Sequence, residues 1–166
     1  MGSGIRSSER RGEGALIPKL ESWFIGAHAI AFVGWAALFA SPWIGRRRAV
    51  LAARWVLVPL CLLYLLFFLT HPKAIPTDLG YTLEAVARAF DKPVLLLAGW
   101  IHYLVLDLFT GSWEAGHSER TGLGNAPLLL CLFATLMIGP LGLLLYLGIA
   151  AFRRSRRPGE GRDLGG

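Results

Sequence analysis

Residues 93–111 read PVLLLAGWIHYLVLDLFTG, an apolar run long enough to cross a bilayer, and inside it stand His102 and Asp107. An ionisable side chain at that depth costs about 3 kcal/mol on insertion scales, which makes a functional role the default reading. On a helix Tyr103 and Asp107 are four residues apart on one face, so the phenol can donate to the carboxylate, and Trp100 extends the stripe by a turn. His102 lies about 140° round from Asp107 at 3.6 residues per turn, so the two flank one pocket without bonding each other. An imidazole, a carboxyl and a phenol so placed are equipped for proton transfer. The competing reading is structural: interhelical hydrogen bonds of about 0.6–2 kcal/mol each.

His28 is the other histidine expected at membrane depth. With His102 and Asp107 it offers a two-histidine, one-carboxylate set of the kind that holds non-haem iron. No span carries an HxxxH or ExxH pair, so those ligands would converge only by packing, and neither metal nor cofactor is expected. Trp100 and Trp35 lie deeper than the remaining tryptophans; with His28 and Trp113 they are the candidates for lining a site against a flat conjugated ligand. His71 and His117 fall in connections and are expected to be solvated.

The elements that must hold these residues follow from composition. Hydrophobic residues make up 54% of 166 positions, charged ones 17%, and mean hydropathy is +0.51. Such a chain is an integral membrane protein of the all-α class. Spans are expected at about 22–41, 49–70, 93–110 and 127–152, giving a four-helix transmembrane domain over 21–152 between basic, disordered tails at 1–20 and 153–166. Gly139-Pro140 should kink the fourth span, and Pro59 the second. Between the second and third spans Leu83, Val86, Ala87 and Phe90 share a helical face opposite Glu84, Arg88 and Asp91, the pattern of a short interfacial helix, with Thr77 or Asp78 as candidate N-cap. Cys61 and Cys131 both lie within spans, where thiols pack as small hydrophobes, and no disulfide is expected.

The net charge of +6 comes from segments flanking the apolar runs. Those residues meet lipid phosphates, so membrane lipids are the expected partners and nucleic acid is not. With four spans both tails share a side, and the count of basic residues places both termini in the cytoplasm; the Arg46-Arg47-Arg48 run pulls the other way.

AGWIHYLVLDLFTGSW, residues 98–113, followed by GPLGLLLYL at 139–147, closely resembles the family of abscisic-acid-deficient-four-like membrane proteins, whose plastid members are required for neoxanthin synthesis. The match rests on Gly99, Trp100, His102, Tyr103, Asp107, Leu108, Phe109, Gly111 and Trp113, and runs over about residues 20–150. The resemblance implies a neoxanthin synthase-like fold and an apolar isoprenoid ligand. Forming neoxanthin from violaxanthin opens an epoxide and removes a carbon-bound proton, an isomerisation without net redox change. Such chemistry takes an acid and a base, for which Asp107, with Tyr103 as its partner, and His102 are the candidates, in either order. The first residues include Glu9 and Glu13 and do not read as a plastid transit peptide, so a bacterial inner membrane is the expected location.

Two classes of function remain in view. One is a carotenoid- or isoprenoid-modifying isomerase, or an accessory to one. The other is a non-catalytic membrane scaffold that binds carotenoid or steadies partner membrane proteins. Secondary transport fits poorly, because four spans without duplicated halves lack the usual transporter architecture.

Overall fold

The computed structural model describes residues 3–72 and 82–155, with side chains from Ile17 onward. Every regular element among the described residues is a helix: α1 (Ser3–Phe39), α2 (Ser41–Ile44), α3 (Arg46–Thr70), α4 (Leu83–Phe90), α5 (Pro93–Thr121), α6 (Asn125–Met137) and α7 (Gly139–Ser155). Lipid offers no partner for backbone amides, and a helix satisfies them within the segment. α1 starts inside the polar segment read as a tail, and its apolar part is Ile17–Phe39. Of the C-terminal segment, residues 156–166 lie outside the described residues, as do Thr77 and Asp78. The cap of α4 is Thr82, whose hydroxyl accepts from the Ala85 amide at 3.2 Å.

Among the described residues three helices are long and apolar enough to cross a membrane: Ile17–Phe39, Arg46–Thr70 and Pro93–Thr121. The last runs well past its expected end at residue 110. α3 carries Pro59 within a continuous helix. The fourth expected span is not one helix. The chain breaks at Ile138, whose φ of −148° and ψ of 75° leave the helical region, and resumes as α7 with Gly139 and Pro140 in its first turn. A proline mid-helix deletes a bond and clashes with the preceding turn, whereas in a first turn its missing N–H costs nothing. The sequence therefore makes a turn here rather than a kink.

α6 and α7 fold back on each other as a hairpin. A Cβ added at Gly142 would overlap the Thr135 backbone and hydroxyl, so only glycine permits this approach of the two helices. At the open end the Arg153 guanidinium donates to the Gly122 carbonyl at 2.8 Å. Gly122, at φ 63°, ends α5 in the left-handed region, with the Leu123 amide returning to the Ser118 carbonyl at 3.1 Å. At 1.5 Å per residue, the 13 residues of α6 reach about 20 Å, short of the ~30 Å hydrocarbon layer.

The chain divides into two compact units: Met1–Phe32 with Val58–Val105, and Val33–Leu57 with Leu106–Gly166. In the first unit Phe67 is fully buried and meets Trp23 edge-on at 5.7 Å. Phe90 of α4 lies over Gly99, where an added Cβ would press on its ring. In the second unit Leu38, Leu108, Leu128, Leu132 and Tyr146 are fully buried. Lipid is as apolar as these side chains, so close packing rather than water exclusion holds them together. Gly111 serves that packing by admitting the Trp35 ring.

Candidate functional site

Two clusters carry the polar chemistry, one in each unit. The first unit holds an aromatic ladder. Trp100 Nε1 donates to His28 Nε2 at 3.0 Å, and the two rings stack at 5.7 Å. Nε2 must then carry the lone pair, which puts the proton on Nδ1, 2.8 Å from the Phe24 carbonyl that accepts it. Both nitrogens of His28 are thus engaged. Phe24 and Tyr103 both tilt against Trp100, at 6.0 and 5.7 Å. Phe24 and Trp100 are 41% and 40% exposed, an apolar face open to lipid. His102 is also exposed, with its ring 6.1 Å from that of Tyr64.

The second unit holds a buried polar core. Asp107 is buried, and its carboxylate lies against Gly139, where a Cβ would overlap it. Seven residues on, Glu114 is fully buried and accepts from Thr135 Oγ1 at 2.9 and 3.1 Å. Seven residues are almost two whole turns, so Asp107 and Glu114 share a face of α5, about 10 Å apart along the axis. His117 stacks on Trp113 at 4.9 Å and 9°, and its Nδ1 is 2.9 Å from Tyr146 Oη. His117 is therefore a half-buried helix residue, not the solvated loop residue expected. Arg46 ties the ends of the helices by donating to Ser118 Oγ at 3.0 Å, Asn125 Oδ1 at 2.9 Å and the Leu123 carbonyl.

Of the expected site residues, Trp100, His28 and Tyr103 come together in one ladder, with His102 on the same unit. Asp107 belongs to the other unit. Trp35 is buried as a packing residue over Gly111, and Trp113 stacks on His117 in the second unit. Among the described residues no three histidine, cysteine or carboxylate side chains gather to hold a metal ion. Cys61 and Cys131 are both free thiols. Sequence reasoning missed Glu114 and Thr135. The available signal was the seven-residue step from Asp107, which repeats a buried polar position on one face.

The residues of both clusters fall within residues 22–146, and that stretch is matched by the family model described as ABA DEFICIENT 4-like. The chain belongs to the ABA DEFICIENT 4-like family. Neither a curated protein nor a solved structure matches it. In this ABA DEFICIENT 4-like chain both glycines and both tryptophans of the motif at 98–113 have a packing reason. Gly99 admits Phe90, Trp100 bonds His28, Gly111 admits Trp35, and Trp113 carries His117. The matched stretch includes both helices of the hairpin up to Tyr146.

Proposed function

We propose that this ABA DEFICIENT 4-like protein engages a carotenoid or related isoprenoid within the membrane and catalyses its isomerisation. The observation that carries the reading is the lipid-exposed ladder of Phe24, His28, Trp100 and Tyr103. Flat rings stacked and open to lipid suit a conjugated polyene, which partitions into the same layer. In an epoxide-opening isomerisation one group delivers a proton to the epoxide oxygen and another removes one from carbon. Asp107, His102 and Tyr103 are the proposed catalytic residues, and Trp100 and His28 the proposed ligand contacts.

Two observations favour a second reading, a non-catalytic carotenoid-binding or scaffold protein. The Asp107 carboxylate is packed on Gly139 and both His28 nitrogens are engaged, as structural groups would be. Expression in a carotenoid-producing host separates binding from its absence. Pigment should remain with the purified wild-type protein and be lost from a Trp100→Ala variant that still melts normally. No pigment above the level of an unrelated membrane protein would remove carotenoid binding from both readings and leave only the scaffold.

We further infer an orientation that differs from the one with both termini in the cytoplasm. Three spans and a hairpin that returns to its own side put the two ends of the chain on opposite sides. Arg46, Arg47, Arg48, Arg54 and Arg120 then share a side with Arg153, Arg154 and the arginines of the C-terminal segment, leaving Arg6, Arg10, Arg11, Lys19, Lys73, Arg88 and Lys92 opposite. The larger basic group favours the cytoplasm, so the C-terminus is placed there and the N-terminus outside. A bacterial inner membrane is the proposed location.

A further inference from the structure

The second unit contains a cavity of about 390 Å³ that shares Trp113 and His117 with the polar cluster and adds arginines that neither cluster uses. Its walls are two matching helical stripes. α3 presents Arg47 and Arg54, seven residues apart, and α5 presents Trp113 and Arg120, also seven apart. Residues spaced in this way lie on one face, about 10 Å apart along the axis. Between them the helices approach closely at Gly116, where an added Cβ would lie 3.8 Å from Val50. Arg47, near the start of α3, and Arg120, near the end of α5, belong to the terminal turns of spanning helices, the level of lipid headgroups, while Arg54 and Trp113 are two turns deeper.

Charge in this cavity is one-sided. Three guanidinium groups line it against a single carboxylate, Glu119. The neighbouring Arg46 is consumed by its bonds to Ser118, Leu123 and Asn125, whereas among the described residues no ion pair or side-chain hydrogen bond engages Arg47, Arg54 or Arg120. The aromatic wall is fixed in place, because Trp113 stacks on His117 and His117 is held by Tyr146. Guanidinium groups bind phosphate through paired N–H donors, and an array extending two turns into the membrane suits a phosphate that enters with an apolar chain attached.

We propose that this cavity binds the phosphate headgroup of an anionic amphiphile, with Arg47, Arg54 and Arg120 on the phosphate oxygens and Trp113 along the first part of the chain. Two sources share this chemistry, an anionic glycerophospholipid and an isoprenyl diphosphate. The site is separate from the carotenoid reading and stands whether or not an isoprenoid is isomerised.

The test titrates the purified full chain in neutral detergent with phosphatidylglycerol, geranylgeranyl diphosphate, geranylgeraniol and phosphatidylcholine, with binding read by microscale thermophoresis. At least one of the two anionic probes should bind saturably and about tenfold or more tighter than the net-neutral ones, and the tighter of the pair names the source. Arg54→Gln and Arg120→Gln should each weaken that binding about tenfold, the scale of losing a charged hydrogen bond. Arg48→Gln, an exposed neighbour outside the cavity, should leave it unchanged. Should Arg54→Gln fail to fold, the exposed Arg120 decides the outcome with Arg54→Lys alongside it. Equal binding of the diphosphate and the alcohol, with no preference for phosphatidylglycerol, would overturn the proposal. So would a loss in Arg48→Gln as large as that in Arg120→Gln, since that would mark general charge attraction rather than a site.

Discussion

Thr135 Oγ1 donates to both carboxylate oxygens of Glu114, at 2.9 and 3.1 Å, and both side chains are fully buried. That contact joins α5 to α6 one turn before the hairpin reverses. Replacing Thr135 with Val keeps the shape and removes the donor, leaving a buried acceptor unpaired at a cost of about 1–3 kcal/mol. Thr135→Val should lower the thermal midpoint in detergent, and Glu114→Gln, which keeps an acceptor for the hydroxyl, should lower it less. Equal midpoints for Thr135→Val and wild type would show that the pair contributes nothing to stability.

The hairpin depends on Gly142 against Thr135. A methyl group there meets backbone, which cannot rotate away, so Gly142→Ala should destabilise the protein by about 1–3 kcal/mol, the range for overpacking. Gly148→Ala, with nothing within 4 Å of the added methyl, is the matched control and should be near neutral. Thermal unfolding of both variants measures the difference.

α4 carries Leu83 and Val86 exposed, with Phe90 leaning over Gly99. If this helix rests at the membrane surface, spin labels at Leu83 and Val86 should be accessible to oxygen from lipid, and labels at Glu84 and Arg88 to an aqueous relaxer. Equal aqueous accessibility at all four positions would place α4 away from lipid.

The topology makes an equally direct prediction. Single cysteines introduced in the N-terminal segment and after Ser155, in a background without Cys61 and Cys131, should react with an impermeant maleimide from opposite sides of a sealed membrane. Labelling of both from one side would restore a fourth crossing.

The all-helical class and three of the spans were legible because apolar runs of membrane length have few alternatives. The hairpin was not. Hydropathy counts apolar residues, and residues 127–152 are as apolar as any other run, so only the local chemistry of Gly139-Pro140 distinguishes a kink from a reversal. The third span was read too short for a related reason. Ser112, Glu114 and Ser118 look like the polar end of a helix, yet all three are buried and hydrogen-bonded. The two serines donate back to the Phe109 and Ala115 carbonyls three residues earlier, whereas the partner that rescues Glu114, Thr135, is distant in sequence and invisible to periodicity. The motif at 98–113 identified the family correctly, while Trp35 could not be told apart from a ligand contact until its packing over Gly111 was seen.

Catalysis is tested most directly by pigment chromatography of a carotenoid-epoxide-producing host carrying wild type, Asp107→Asn or an empty vector. Asn keeps the size and hydrogen-bonding capacity of Asp107 but carries no acidic proton. General acid–base participation contributes about 10²–10⁴-fold, so wild type should convert the epoxide and Asp107→Asn, inserted at normal levels, should leave it accumulated as the empty vector does. A wild-type profile indistinguishable from the empty vector, or an Asp107→Asn profile indistinguishable from an active wild type, would contradict the account.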